Sequence, residues 1–381
     1  MKRSDFFIVV YTIIILLSVM YATQPLQPLL SQEFDVSVTK ASSFTAVIML
    51  FLAIAPIIYG YILQRVNAKK VLVVASILLS ITNIFLGFSN SYELFLFLRT
   101  CEAVVIPAIL TACMSILASD KQNIKRNMSF YVAATVFGGL IGRVMSGFIA
   151  TQLGWRYVFF SLSVALLLGL FFIAKLQFEG EAKLTKAKIN DALIILKDKR
   201  FVVIYMLMFT VFFVFAGFLN VLPFRIKEQF SDVTETHIGL LYLGYGVGIV
   251  VSLMIHKIIH IFKKELRTIM FGLWVLWVSM ILFFNSNIWF IFAVVFVLCF
   301  GMFTVHTVST RLANSMRESQ KSLTSGMYLT FYYIGGAVGS IVPSLVYEHL
   351  GWNSTIVMFI FALIAIAIFV HTNKHHFKAY N

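Results

Sequence analysis

The chain has 381 residues, of which 60% are hydrophobic and only 12% are charged, and its formal net charge at pH 7 is +14. Soluble domains carry roughly 25% charged residues, whereas apolar runs of about 20 residues are typical of transmembrane helices. The composition therefore excludes a soluble enzyme and predicts an all-α membrane protein. It also argues against nucleic acid as a partner, because no polar segment is long enough to form a domain with a basic surface. We expect the lipid bilayer to explain the basic excess.

Apolar runs separated by polar clusters predict twelve transmembrane helices. The predicted spans are 6–30, 38–63, 70–88, 93–118, 128–153, 156–176, 201–223, 237–258, 267–284, 288–311, 324–347 and 353–372. The first apolar run exceeds the roughly 7 to 15 residues of a signal-peptide core, so we interpret it as a span. The longest polar segment follows span six. It divides the chain into an N-terminal half (1–176), a cytoplasmic linker (177–200) and a C-terminal half (201–381).

The basic residues predict the direction of these spans, because Lys and Arg near helix ends lie preferentially on the cytoplasmic side. One membrane face collects 24 of the 30 Lys and Arg residues and the other face collects four. The remaining two, Arg99 and Arg143, lie inside spans. We therefore predict a multi-pass protein of the cytoplasmic or inner membrane with both termini in the cytoplasm.

The cysteines predict no cofactor chemistry. All three lie in apolar runs, far from one another in sequence: Cys101, Cys113 and Cys299. This spacing matches neither a zinc site nor a disulfide framework. We therefore expect neither a metal nor a cofactor.

The two halves share an internal repeat with an offset of 197 residues. The repeat pairs Gly138, Gly139, Gly142, Gly154 and Trp155 with Gly335, Gly336, Gly339, Gly351 and Trp352. Six predicted spans separate the copies, so both enter the membrane in the same direction, as in a parallel repeat of two six-helix halves. Glycines four residues apart allow close approach of helices. The pattern fits tight packing alone, and it also fits helices that move during alternating access.

Three segments of the first half resemble motifs of the major facilitator superfamily. The segment 60–72, GYILQRVNAKKVL, resembles the cytoplasmic loop signature between spans two and three of that family. RTCEAVVIP at 99–107 resembles its span-four motif, and GGLIGRVMSG at 138–147 resembles its span-five antiporter motif. In the second half, the segments 299–315 and 326–336 are similar to the bacterial YnfM-type branch, which is grouped with arabinose-efflux permeases. The resemblance implies a proton-coupled transporter, most often an exporter.

The loop signature carries the resemblance at four positions, Gly60, Gln64, Arg65 and Lys69. It departs from the family pattern at Gln64, where an acidic residue is usual, and at Asn67, where glycine is usual. Asn tolerates the left-handed backbone of a tight turn, so the second change is mild. The first change puts in doubt the gating ion pair that the family builds there.

Of the sixteen acidic residues, one lies deep in a predicted span, and this is Glu102. An ionisable side chain at the centre of a membrane helix costs about 2.5 to 3.5 kcal/mol and is kept where it meets a partner or a water-filled path. Arg99 precedes Glu102 by three residues and shares its helical face. One interpretation is a proton-carrying pair, and the other is a permanent ion pair that makes the helix insertable. Arg143, whose repeat mate is Ser340, is predicted to act in substrate binding or gating, with pairing to Glu102 as the rival.

Further polar side chains within spans complete the predicted sites. His306 in span ten is predicted to assist proton coupling, because histidine changes charge near neutral pH, although a neutral histidine bonded to a facing helix is the alternative. Four residues of spans one and eleven are predicted to act with Arg143 in substrate binding or gating: Tyr21, Gln24, Tyr332 and Tyr333.

The sequence predicts a transporter rather than an enzyme. It has no cluster of acids, histidines or cysteines at one membrane face, and no GxxxxGK[ST] loop for phosphate binding. We expect a monomeric secondary transporter with protons and a small organic or drug-like solute as its partners. Proton-coupled export by alternating access is the leading hypothesis. A symporter or facilitator that imports a metabolite is the alternative, because one fold permits both functions.

Overall fold

The computed structural model describes residues 1–62, 66–120, 122–177, 189–317 and 321–380, and every regular element in this part of the chain is helical. The α-helices are α1 Arg3–Tyr21, α2 Gln27–Glu33, α3 Val38–Ile62, α4 Ala68–Phe88, α5 Tyr92–Ser119, α6 Ile124–Leu153, α7 Trp155–Ala174, α8 Ile189–Lys197, α9 Lys199–Gln229, α10 Glu235–Leu241, α11 Val247–Phe262, α12 Glu265–Leu282, α13 Ile288–Ser315 and α14 Lys321–Thr372. Two 3₁₀ segments are Tyr242–Gly246 and Lys374–Tyr380.

The helices account for the twelve predicted spans. Within the described residues, ten helical segments are long and apolar enough to cross a membrane. One of them, Leu323–Thr372, has 50 residues, and its backbone leaves the helical conformation at Gly351, so it contains two spans. The apolar segment Val38–Ile54 of α3 supplies the remaining one. The predicted all-α membrane architecture is confirmed.

The chain folds into two compact units. Unit 1 comprises Met1–Lys186 and Ser231–Tyr242, and unit 2 comprises Ala187–Phe230 and Leu243–Asn381. Helix α10 therefore belongs to unit 1, where the Thr236 amide donates a hydrogen bond to Thr151 Oγ1 at 2.9 Å. The predicted division at the 177–200 linker stays a prediction.

The glycines of the sequence repeat mark close helix contacts in both units. A Cβ atom at Gly138 would lie 2.5 Å from the carbonyl oxygen of Ile14, and one at Gly142 would lie 2.4 Å from Ser18 Cα. In unit 2, a Cβ atom at Gly339 would lie 2.4 Å from the carbonyl oxygen of Phe213. These distances are far below van der Waals contact, so only glycine lets α6 approach α1, and α14 approach α9, this closely.

The Gly-Trp pairs of the repeat occupy equivalent turns between two helices. Gly154 has a φ of 101° and Gly351 has a φ of 76°, a region that glycine adopts without the steric cost of a side chain. In unit 2, Trp352 Nε1 donates a hydrogen bond to the carbonyl oxygen of Phe283 at 2.9 Å. The repeat found in the sequence therefore recurs in backbone conformation.

The first predicted span, 6–30, is interrupted. Helix α1 ends at Tyr21 and α2 begins at Gln27, and residues 22–26 between them form a turn. Pro25 lacks the N–H group that a continuing helix needs, and Pro28 fits the first turn of a new helix. We call residues 22–26 the intramembrane turn.

The glycine contact between α1 and α6 generates a stability prediction. Replacing Gly142 with Ala forces a methyl group against the backbone of Ser18, and such overpacking costs about 1 to 3 kcal/mol. As a control, a Cβ atom at Gly169 would meet only the Tyr11 ring, at 3.2 Å. We expect G142A to lower the thermal unfolding midpoint of the purified protein more than G169A does. Equal midpoints for the two variants would contradict the contact.

Candidate functional site

Arg99 of α5 reaches the end of α1. Its side chain is fully buried. Its Nη2 donates hydrogen bonds to the carbonyl oxygen of Met20 at 3.2 Å and to Thr23 Oγ1 at 3.3 Å, and its Nη1 donates to the carbonyl oxygen of Val19 at 3.4 Å. The last four carbonyl groups of a helix lack partners within that helix, and they form the negative end of its dipole. The guanidinium therefore stabilises the interrupted end of α1.

Glu102 completes this cluster from the same helix. Its fully buried carboxylate receives hydrogen bonds from Arg99 Nη1 at 2.5 Å and from Asn83 Nδ2 of α4 at 2.6 Å. Asn83 Nδ2 also donates to the carbonyl oxygen of Leu79 at 2.8 Å. Asn83 Oδ1 is buried and has no hydrogen-bond partner among the described residues. We call Arg99, Glu102 and Asn83 the buried charge cluster.

Arg143 of α6 lies on the other side of the intramembrane turn. Its Nε donates a hydrogen bond to Gln24 Oε1 at 2.6 Å, and its Nη1 donates to the carbonyl oxygen of Gly139 at 2.8 Å. Its guanidinium carbon lies 3.8 Å from the centre of the Tyr21 ring and 5.1 Å from that of Tyr242. The structure thus brings together three predicted substrate or gating residues, Tyr21, Gln24 and Arg143.

The predicted rival pairing of Arg143 with Glu102 does not occur. Among the described residues, the ion pair of Glu102 is with Arg99 and its other hydrogen bond comes from Asn83. The two buried arginines instead contact the intramembrane turn from α5 and α6, Arg99 at Thr23 and Arg143 at Gln24.

The remaining predicted site residues inside spans form a second cluster, in unit 2. The hydroxyl of Tyr328 lies 2.9 Å from His306 Nδ1, and the His306 and Tyr332 rings are 5.0 Å apart. Tyr332 stacks on Phe212 of α9 at 3.7 Å between ring centres, and it meets Tyr333 edge to face at 5.1 Å. The contact with Tyr328 of α14 fits the alternative interpretation of His306, a neutral histidine that is hydrogen-bonded to a facing helix. The cluster can offer polar ring edges to a solute.

The loop signature is described in part. Gly60 lies in α3, and Gln64 and Arg65 lie outside the described residues. Lys69 lies in the first turn of α4, where its Nζ donates a hydrogen bond to the carbonyl oxygen of Leu176 at 2.6 Å. Asn67 caps this helix by accepting a hydrogen bond from the Lys69 amide at 2.8 Å. The departure to Asn therefore serves as a helix cap.

Asn83 and Tyr242 are among the residues of the site that were not predicted from the sequence. A lone amide in the middle of an apolar run is a signal that could have found Asn83, because buried amides need partners. Tyr242 carries no such signal, since tyrosine is common in membrane spans. Neither cluster provides a metal site: within the described residues, no group of three or more His, Cys, Asp or Glu could hold an ion.

Comparison with known proteins gives the family. A family model described as the Major Facilitator Superfamily matches residues 8–271 and 226–378. The chain belongs to the Major Facilitator Superfamily. It is a multi-pass membrane transporter and not an enzyme, as the sequence predicts.

Similar superfamily members cover nearly the whole chain. The chain is 23% identical to the inner membrane transport protein YnfM of Escherichia coli over 94% of its length and 87% of that protein. It is 21% identical to the uncharacterized MFS-type transporter YybF of Bacillus subtilis over 91% of its length and 87% of that protein. A crystal structure of a bacterial homologue of the human lysosomal transporter Spinster has a TM-score of 0.83 at 14% identity and covers 100% of this chain and 99% of that one. The structural likeness shows the superfamily fold.

The buried charge cluster generates a prediction about stability. Arg99→Leu leaves Glu102 without its cation and α1 without its donor, so we expect a cost of about 3 to 5 kcal/mol. The control is Arg156→Leu, because the Arg156–Glu33 pair is 2.9 Å long but its side chains are 37% and 36% exposed. An exposed pair contributes about 0 to 1 kcal/mol. Thermal unfolding of the purified variants measures the difference, and equal midpoints would contradict the role of Arg99.

Proposed function

We propose that this transporter is a proton-coupled antiporter that exports a small organic solute, with Glu102 as its proton-carrying residue. The observation that supports this function is the fully buried Glu102 carboxylate with its two donors, Arg99 and Asn83. Ionisable groups inside membrane spans are costly and serve ion pathways in many transporters. The segment 138–147 resembles an antiporter motif, which supports exchange of protons for solute. The excess of basic residues on one face supports a cytoplasmic location of both termini. We expect a monomer to be sufficient.

Asn83 can serve both protonation states of Glu102. Its Nδ2 donates to the carboxylate, and its Oδ1, which lacks a donor among the described residues, can accept from the protonated acid after a rotation of the amide. An amide offers both a donor and an acceptor, whereas an apolar side chain offers neither. The Glu102 carboxyl group can therefore have a hydrogen-bond partner on Asn83 in both protonation states.

The intramembrane turn can couple the protonation state of Glu102 to the position of Arg143. Protonation of Glu102 removes the ion pair of Arg99, whose remaining acceptors are neutral oxygens that include Met20 and Thr23 of the α1 end and the turn. Gln24 follows Thr23 directly and accepts the hydrogen bond of Arg143. A shift of the turn toward Arg99 therefore alters how Arg143 is held, which couples the two sites through one short backbone segment.

The chemistry around Arg143 indicates the class of solute. Among the described residues of unit 1, the charged groups deep inside spans are the guanidinium groups of Arg99 and Arg143 and the carboxylate of Glu102. The Arg143 guanidinium packs on the Tyr21 and Tyr242 rings. This arrangement opposes a strongly cationic solute and favours a neutral, zwitterionic or anionic one. In unit 2, the tyrosine edges around His306 add hydrogen-bonding groups to apolar ring surfaces.

The coupling proposal is tested with Glu102→Gln. Proteoliposomes of known protein orientation receive an imposed pH gradient and a panel of monocarboxylates, dicarboxylates, neutral sugars and aromatic cations, while lumenal pH and solute are followed together. We expect the wild type to move protons against one solute class. Because a glutamine side chain carries no exchangeable acid proton, E102Q is expected to abolish gradient-driven accumulation and retain solute exchange.

The matched control is Glu93→Gln, which changes an exposed acid in the first turn of the same helix. We expect E93Q to transport as the wild type does. Proton-coupled accumulation that survives in E102Q would reject Glu102 as the proton carrier. Movement of solute and protons in the same direction would instead select the importing symporter.

The coupling through the intramembrane turn is tested with Gln24→Leu, which removes the acceptor of the hydrogen bond from Arg143 Nε. A hydrogen bond to a charged group contributes about 1.5 to 3 kcal/mol, so we expect gradient-driven accumulation to fall about tenfold or more. Solute exchange without a gradient should fall less. Gln32→Leu, at an exposed position of α2, is the control. An equal loss of exchange and of gradient-driven accumulation in Q24L would contradict a coupling role.

A further inference from the structure

A basic cleft lies at the C-terminal end of α11 in unit 2. It has a volume of about 470 Å³ and is lined by His256, Ile259, His260, Lys263 and Arg311. The segment 257–267 is among those that the excess of Lys and Arg predicts to be cytoplasmic. The cleft takes no part in the buried charge cluster, and it is distinct from the contacts of Arg143.

Arg311 has two side-chain contacts in the cleft, and the cationic groups of the cleft retain unused donors. Arg311 Nε pairs with Glu265 at 2.8 Å, and Arg311 Nη1 lies 2.9 Å from His256 Nδ1. Within the described part of the chain, Arg311 Nη2, Lys263 Nζ and the His260 ring make no hydrogen bond to protein. Glu265 offsets one positive charge, which leaves the cleft cationic. Its free donors therefore suit an anionic ligand.

Lys263 adopts a backbone conformation that favours glycine. Its φ is 63° at the C-terminal cap of α11, where its amide donates a hydrogen bond to the carbonyl oxygen of His260 at 3.3 Å. A non-glycine residue in this region has a steric cost, and glycine is the usual residue there. Lys263 occupies this position in the lining of the cleft although glycine would be less strained. The presence of lysine there suits a role of its positive charge in binding an anion.

Helix α11 carries two exposed apolar side chains, Leu253 and Ile261, which we call the apolar stripe. Leu253 precedes His256 by three residues and His260 by seven, so the three side chains share one face of α11. Leu253 is 77% exposed, and Ile261 beside them is 71% exposed. Exposed apolar side chains next to cationic groups at a membrane boundary match an acyl chain followed by its headgroup.

We propose that this cleft binds the phosphodiester headgroup of an anionic lipid of the cytoplasmic leaflet. Arg311 Nη2 and Lys263 Nζ would donate to the phosphate oxygens, and His260 lies beside them as a further donor. The acyl chains would lie along Leu253 and Ile261. A free phosphate ion has no use for the apolar stripe, which is why the lipid is favoured.

The experiment titrates the purified full-length protein with phosphatidylglycerol, with phosphatidylcholine and with inorganic phosphate, and counts bound molecules by native mass spectrometry. We expect saturable binding of phosphatidylglycerol and weaker binding of phosphatidylcholine. Lys263→Gln should weaken phosphatidylglycerol binding about fivefold, the factor that corresponds to about 1 kcal/mol per basic residue near an anionic lipid surface. His260→Gln, at an exposed ring, is a second variant that leaves the α11 cap unchanged.

Lys175→Gln is the matched control, because Lys175 is an exposed lysine at the end of α7 that is also predicted to be cytoplasmic. It should bind phosphatidylglycerol as the wild type does. Equal binding of the two lipids, or unchanged phosphatidylglycerol binding in both K263Q and H260Q, would overturn the proposal. Inorganic phosphate that binds as tightly as phosphatidylglycerol and loses affinity in K263Q would assign the cleft to a soluble phosphate and overturn the lipid assignment.

Discussion

The guanidinium of Arg99 meets two demands that the bilayer imposes at one place. Inside a membrane, no water satisfies the carbonyl groups that a broken helix leaves open, and no water screens a carboxylate. Arg99 donates to the end of α1 and to Glu102 together, so a helix break and a buried acid are satisfied by the same side chain. If either the open carbonyl groups or Glu102 were absent, the buried guanidinium would lose part of its own hydrogen bonding, which is costly inside a membrane. The interruption of the first span, the buried acid and the arginine are therefore parts of one arrangement.

Close packing of α1 and α6 brings the second arginine to the same turn. Gly138 and Gly142 let α6 lie against the backbone of α1, and Arg143, which follows Gly142 directly, then reaches Gln24. In unit 2 the same glycine spacing packs α14 on α9, but the repeat mate of Arg143 is Ser340, whose hydroxyl bonds within its own helix. The repeat therefore supplies the packing in both units, while the charged contact belongs to unit 1. The two copies therefore share the packing of the scaffold and differ in this arginine contact.

Sequence alone predicts the features that depend on composition and local spacing. The spans, the glycine repeat and the pairing of Arg99 with Glu102 at three residues all follow from periodicities of the helix. The hydrogen bond from Asn83 of α4 to Glu102 depends on which helices become neighbours, which no local pattern determines. The same limit explains why the sequence left two interpretations of Arg143, a role in substrate binding or gating and a pairing with Glu102. Pro25 and Pro28 are a local signal for the interruption of the first span. Only the structure shows that Arg99 donates to the carbonyl groups that the end of α1 leaves open.

The basic residues at helix ends are predicted to set the topology, and most of them need no other explanation. A flexible lysine in a solvated loop attracts anionic lipids without forming a site, because its charge has no fixed position. Arg311 and Lys263 of unit 2 each have an additional local feature. Arg311 pairs with Glu265 and lies beside His256, and Lys263 has a left-handed backbone that costs conformational energy. A charge held in place beside the exposed apolar stripe can select an anionic lipid headgroup. A mobile charge can only raise the local concentration of anionic lipids. The orientation signal and a specific lipid site therefore use the same residue types, and geometric constraint distinguishes them.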